Sequence, residues 1–402
     1  MDLNYGEAAE AFRKEVRGFI RQAWQPGELR GTELKDYIRS FRRAAIDNGY
    51  LYRSVPKRYG GSEQPVDVIR AQVIREEFGR ARAPMEVGGN GVNMTVPTLL
   101  EKGTEEQRDL FIRKTIEGDY VWGQGYSEPG SGSDLASVRT KAELSADGGK
   151  WIVNGQKIWT SQGMQSTHMF MLVRTEPDAP KHDGITYLLM DLNQPGITRR
   201  PIRQMTGEQG GHTFCEFFFD NAEAPVSWQV GERGQGWYVS RTTLKHERAS
   251  IGSADGLGSQ FRKLVELAQE MGRIGDPLVR DRLVEIEGRV LSHRYTSFRL
   301  FSCAAAGEDA GPVQLLMKLL LTEIGHDIAL LAQDLIGEQG MTEPVGAGGR
   351  GPRGPRGPNK WLDQIMGSLG NSIAGGTSNI QRNIVGERGL GLPRDLAMSA
   401  EK

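Results

Sequence analysis

The feature that most constrains this chain is a double change of hydrophobic period along its length. To about residue 118, apolar residues recur at helical spacing. From Tyr120 to about residue 230 they come in short β-rich runs separated by turn residues, and from about residue 234 the helical spacing returns over longer stretches. Helix, then strand, then helix predicts an α+β fold, mainly α, rather than alternating βαβ units. The expected domains are an N-terminal helical domain over residues 1–118, a middle β domain over 119–232 and a C-terminal helical bundle over 233–402.

Local signals fill in this outline. Phe12, Val16, Phe19 and Ile20 share one helical face, as do Leu34, Ile38, Phe41 and Ala45 ahead of an Asn48-Gly49 stop. Thr104 and Gln107 have capping-box spacing before Leu110 and Phe111. Asn154-Gly155, between Trp151-Ile152-Val153 and Lys157-Ile158-Trp159, predicts a type I′ hairpin. Further strands are expected over 168–173, 185–190 and 213–219, which together make a compact barrel or sandwich. Helices are expected over 235–271, 277–306, 312–338 and 360–387, with Pro277 and Pro312 in first turns, as in an antiparallel bundle. The Gly-Pro-Arg insert at 346–358 reads as a solvated basic loop; the alternative is that Arg350, Arg353 and Arg356 meet phosphates.

Composition excludes several classes. Basic and acidic residues number 50 and 51, so no whole-surface attraction to nucleic acid is expected. Two cysteines, Cys215 and Cys303, make neither a disulfide framework nor a four-cysteine zinc site, and no metal centre is expected. No apolar run is long enough for a membrane span, and the N-terminal residues carry no secretory pattern. The expectation is a cytoplasmic protein.

Four segments carry chemistry. Gln124 to Asp134 (Gln-Gly-Tyr-Ser-Glu-Pro-Gly-Ser-Gly-Ser-Asp) offers free backbone NH groups and hydroxyls, although a polar turn would read the same way. Trp159-Thr160-Ser161 places an aromatic ring beside hydroxyls, which suits a planar ligand or simply a strand end. Glu247 lies three residues after Leu244 and four before Ile251, on the apolar stripe of its helix. A carboxylate held off water there is a stronger base; the alternative is a structural pair with Arg248, His246 or an arginine from another helix. Gly375-Gly376-Thr377 leaves backbone NH groups accessible at a helix start, as an ordinary capped turn also would.

Together these segments resemble the acyl-CoA dehydrogenase family. The family's Thr/Ser-Glu-Pro-x-x-Gly-Ser-Asp loop is matched by Ser127 to Asp134, and its Asn-Gly-x-Lys-x-Trp-x-Thr/Ser motif by Asn154 to Ser161. Gly231 to Gly236 matches Gly-Glu-x-Gly-x-Gly, and Gly376 to Arg382 matches Gly-Thr-Ser-x-Ile-Gln-Arg. The resemblance implies a helical domain, a β-barrel, a four-helix bundle and an FAD cofactor. It also implies an acyl-CoA substrate oxidised to the trans-2-enoyl-CoA, an electron-transfer flavoprotein as acceptor, and a dimer or homotetramer. By motif position, Gln124, Tyr126, Ser127, Gly132, Ser133, Trp159, Thr160, Ser161, Thr377 and Asn379 would meet FAD; Met271 stands where the family has an arginine, and Arg273 would substitute for it. Ser133, Arg248 and Gly375 would meet the substrate.

Two departures matter. Many relatives carry their catalytic glutamate where this chain has Gly375; a minority place it before an arginine in the first bundle helix, matching Glu247-Arg248. The resemblance therefore implies that Glu247 removes the α-proton, with the Gly375 NH and a flavin ribityl hydroxyl polarising the thioester. In addition, Asp281-Arg282 stands where the family has a histidine-glutamine pair, and Asp334 to Glu338 replaces a Gln-x-x-Gly-Gly segment near the FAD pyrophosphate. That keeps open a heterotetramer in which a partner chain completes the FAD site. Oxygen-using oxidases and monooxygenases are the other enzymatic alternatives; a structural partner without activity of its own is the non-enzymatic one.

Overall fold

The computed structural model describes residues 5–204, 214–251, 255–338 and 359–393. The chain divides into two compact units: Met1–Arg200 with Phe214–His246, and Pro201–Thr213 with Glu247–Lys402.

The first unit opens with helices α1 (Glu7–Ala23), α2 (Gly31–Asp47), α3 (Val68–Ala81), α4 (Val96–Lys102) and α5 (Glu105–Glu117). Phe12, Val16 and Ile20 of α1 and Phe41 and Ala45 of α2 are buried, as their spacing requires. The capping box at α5 is present in both directions, Gln107 N to Thr104 Oγ1 at 3.2 Å and Thr104 N to Gln107 Oε1 at 3.1 Å. The Gln107 amide also donates to Ser227 O and Gln229 O, at 2.8 and 2.7 Å, which pins α5 to the following domain.

That domain is an eight-stranded mixed sheet: β1 (Trp122–Gly125), β2 (Lys141–Leu144), β3 (Lys150–Ser161), β4 (His168–Arg174), β5 (Ile185–Asp191), β6 (Ile197–Pro201), β7 (Phe214–Pro225) and β8 (Gln229–Val230). The strands run in the order β6-β7-β3-β2-β4-β5-β8, with β1 parallel to β4. Trp151, Val153, Met169, Met171, Leu188, Met190, Cys215 and Phe217 form one core, so the sheet is curled around its own interior. The other face of β4 and β5 (Phe170, Leu172, Tyr187, Leu189) joins the core of the N-terminal helices. This explains why β4 and β5 are continuous apolar runs, buried on both faces. The N-terminal and middle domains read from the sequence therefore share one hydrophobic core.

The Asn154-Gly155 hairpin is not formed. Residues 150–161 are one strand, and its turn to β2 lies at Ser145–Gly149, where Gly148 N donates to Ser145 O at 2.8 Å. Asn154-Gly155 instead marks a register shift against β7. A Cβ at Gly155 would stand 2.7 Å from the Thr140 Cα, so the glycine serves close approach rather than a turn.

Helix α6 (Gly236–Ile251) carries the division between the units, which falls between His246 and Glu247. The second unit continues with α7 (Asp255–Glu270), α8 (Pro277–Ala306), α9 (Met317–Ile336), α10 (Asn359–Ile373) and α11 (Ser378–Ile384). The single helix expected over 235–271 is thus two, α6 and α7, with 252–254 outside the described residues. Pro277 does occupy the first turn of α8, capped by Asp276 through Leu278 N. Leu264, Leu267, Leu283, Ile286, Ile328, Leu331, Leu335 and Trp361 form the core of α7–α10, a four-helix packing. The Gly-Pro-Arg insert lies outside the described residues. No described helix is long and apolar enough to cross a membrane.

Candidate active site

In the first unit, the two motifs of the β domain lie side by side. Ile158 N donates to Ser127 O at 2.9 Å, Thr160 Oγ1 to Gln124 O at 3.0 Å, and Lys157 Nζ to Tyr126 O at 3.2 Å. The same ammonium reaches Glu128 Oε1 at 2.8 Å, and Glu128 also accepts from Arg139 N and Thr140 N at 2.6 and 2.9 Å. Lys157 has no solvent exposure and Glu128 is 8% exposed. Burial drives the Lys157 pKa down, while Lys157 and two backbone NH groups hold the Glu128 carboxyl low. The glutamate of one motif and the lysine of the other are therefore a buried ion pair that fixes the two segments together. Sequence reasoning missed this; the signal was a lysine at an inward position of a strand.

Trp159 is the exception in this zipper. It is 56% exposed and its φ is +64°, a left-handed value that costs a bulky residue energy. The β3–β7 register shifts there, between Lys157 and Thr160, and the ring meets Phe214 edge-on at 6.1 Å. An exposed tryptophan held in a strained bulge fits stacking on a planar heterocycle. Ser161, Gly132 and Ser133 are exposed, and Gln124 and Ser127 are half-buried. Tyr126 and Thr160 face inward: the Tyr126 ring packs against Phe170 and Tyr187, and the Thr160 hydroxyl is committed to Gln124 O. Their side chains belong to the barrel, so a ligand would meet their backbone. A Cβ at Gly130 or Gly132 would meet nothing within 4 Å, so no neighbour within the chain demands glycine there.

In the second unit, Gly375 and Gly376 have φ of +64° and +92° and form the turn between α10 and α11. A Cβ at Gly376 would stand 2.6 Å from Gln381 Nε2, and that amide donates to Gly375 O at 3.2 Å. Thr377 caps α11 through Ile380 N at 3.3 Å, and the exposed Asn379 accepts from Arg382 at 3.3 Å. Because α11 has only seven residues, the turn's own NH groups matter more than any helix dipole. Lys318, on α9 and 4% exposed, donates to Gly376 O at 2.8 Å and to Ser372 O at 3.5 Å. Burial lowers its pKa, and the half-buried Glu247 acts against that as a charge partner. Glu247 is thus one of the charges that act on this lysine. His246, one alternative for its partner, engages Glu101 at 2.6 Å. The Arg248 side chain lies outside what the structure describes. Lys318 was missed in the sequence, although it breaks the apolar run from Leu315 to Leu321 just as Glu247 breaks its own stripe.

The altered bundle segments also find partners. Arg273 donates to Asp276 at 2.6 Å and so serves the α7–α8 hairpin. Arg282 of α8 forms an ion pair with Asp334 of α9. Two departures from the family pattern therefore neutralise each other. Among the described residues no histidine, cysteine and carboxylate cluster could hold a metal.

A helical domain, a curled sheet and a helical bundle, in this order, are the domain layout of the acyl-CoA dehydrogenases. The family's N-terminal, middle and C-terminal domain descriptions match residues 6–119, 123–222 and 234–390 in that order. The chain belongs to the acyl-CoA dehydrogenase family, oxidoreductases that act on CH–CH bonds. It is similar to acyl-CoA dehydrogenase IpdE1 of Mycobacterium tuberculosis (strain ATCC 25618 / H37Rv), 35% identical over 96% of this chain and 98% of the relative. Among solved structures it is similar to the Tcur3481-Tcur3483 steroid ACAD, with a TM-score of 0.76 and 27% identity over 98% of this chain and 100% of that one. The ChsE4-ChsE5 complex from Mycobacterium tuberculosis gives a TM-score of 0.75 and 26% identity, again over 98% and 100%.

Proposed function

We propose that this chain is an FAD-dependent acyl-CoA dehydrogenase in which Glu247 removes the α-proton of a thioester. The observation that supports the reading is the glycine turn, whose Gly376 O accepts from the buried Lys318 Nζ at 2.8 Å, together with a half-buried Glu247 on α6. Gly375 bears no titratable group and has a left-handed φ of +64°, so the carboxylate of the bundle helix takes the role of base. The Gly375 NH donates to the thioester oxygen and stabilises the charge that develops as the proton leaves. FAD, when bound, would supply the hydride-accepting chemistry. In this reading Trp159 would stack beside its ring, and Ser127 and Ser161 would contact its edge. Ser133 would approach the thioester arm, Arg248 would contact the substrate, and Thr377 and Asn379 would contact FAD. An electron-transfer flavoprotein takes the electrons onward.

The Arg282–Asp334 pair favours a more specific assembly. Pyrophosphate needs donors, and here an arginine is already spent on a carboxylate. A partner chain that supplies a complete FAD half-site resolves this, and the two-chain names of the similar structures support it. The steroid ACAD among them supports a bulky alicyclic acyl group as substrate.

The test is anaerobic titration of the purified protein with straight-chain, branched and steroid side-chain CoA thioesters. The reading expects the chain to gain FAD only with a partner subunit, and the FAD-loaded complex to bleach, most strongly with the steroid thioesters. Flavin that no acyl-CoA bleaches would overturn it.

A further inference from the structure

Lys318 stands where a lysine is expensive. An ammonium in a helical bundle is stable only if its donors and its charge are answered. Here two donors go to backbone carbonyls on one short stretch, Gly376 O at 2.8 Å and Ser372 O at 3.5 Å. Ser372 O also accepts from Ser378 Oγ at 3.4 Å, so the lysine grips both sides of the turn that carries Gly375. The charge of Glu247, on α6, favours the protonated ammonium against the effect of burial. An apolar residue of similar length would suit α9 better, since Met317, Leu319, Thr322 and Ile324 around it are all buried.

We propose that Lys318 is a positioning residue, which holds the Gly375-Gly376 turn from inside the bundle. It touches neither substrate nor cofactor. Through its bonds to Gly376 O and Ser372 O it fixes where the Gly375 NH stands. The proton that leaves the substrate goes to Glu247; Lys318 keeps its own. This rests on Glu247 as the base.

The test uses the FAD-loaded protein, with its partner subunit if one is needed, and a 3-thia-acyl-CoA in D₂O. That ligand has sulfur at the β position, so α-deuterium incorporation reads proton abstraction without oxidation. Lys318→Met should lower the exchange rate at least tenfold and leave the ligand's dissociation constant within twofold. Amide hydrogen exchange over residues 374–378, measured without substrate, should speed up in the same variant. Lys318→Gln, which keeps a donor without the charge, carries the same comparison if the methionine variant fails to fold. Parental exchange rates in a folded Lys318 variant would overturn the proposal, as would equal losses in binding and exchange. A Glu247→Gln variant run alongside separates the failures. Full exchange there sinks the base itself; exchange lost there but intact in Lys318→Met sinks only the positioning role.

Discussion

Replacing Lys157 by methionine removes the ammonium but keeps most of the side chain's length, so the loss isolates charge and hydrogen bonding. In the folded protein Lys157 is fully buried and bonded to Glu128 Oε1 at 2.8 Å and Tyr126 O at 3.2 Å. The variant leaves a buried carboxylate with two backbone donors, Arg139 N and Thr140 N, and no counter-charge. Breaking a buried pair from one side costs about 3–5 kcal/mol, and the two surviving donors place this case near the lower end, at about 3 kcal/mol. For a unit of this size that is a fall in Tm of roughly 6–12 °C. Denaturant unfolding followed by tryptophan fluorescence reads it, and the double variant with Glu128→Gln should recover part of the loss. The damage should extend to cofactor retention, because Ser127 and Trp159 are aligned by the same strand contacts. A Lys157→Met protein with a Tm within 2 °C of the parent (about 1 kcal/mol or less) would refute the claim that this pair locks the two motifs together.

Two other predictions concern the same unit. His168 is buried among Tyr120, Trp122, Phe111 and Trp228, and burial pushes its pKa from 6.5 down to about 4. Between those values the unfolded chain binds a proton that the native state refuses, so stability is full above pH 6.5 and falls as pH drops toward 4. His168→Phe should remove about 2 kcal/mol of the stability difference between about pH 7.5 and 5, measured by denaturant midpoints; an unchanged difference would contradict the assignment. Trp159→Ala should leave the apoprotein's Tm within about 2 °C, since the ring is largely exposed, yet weaken FAD binding roughly tenfold or more. Equilibrium dialysis checks this, and equal FAD affinity would remove the stacking role.

The sequence made much of the fold legible, and where it failed the reasons are physical. α8 begins at Pro277 and α5 at its capping box because those signals are local and need no tertiary help. Asn154-Gly155 misled because a turn dipeptide is also what a bulge needs. Asn154 exchanges hydrogen bonds with Asn221 across the bulge, at 2.8 and 3.2 Å, and long-range pairing to β7 overrides the local turn preference. The apolar stripe of α6 makes Glu247 visible but not Lys318, since a helical period says nothing about residues on other helices. Arg282 and Asp334 read separately as two losses; only the packing of α8 on α9 shows them as one ion pair.

The most direct measurement is the anaerobic rate of flavin reduction by the best acyl-CoA, compared in the parent and Glu247→Gln proteins with equal FAD content. The account predicts that the variant binds FAD and the thioester like the parent and reduces flavin at least about a thousandfold more slowly, as expected for loss of a positioned general base. Flavin reduction at the parental rate in Glu247→Gln would contradict it and would return the search for the base to residues outside α6.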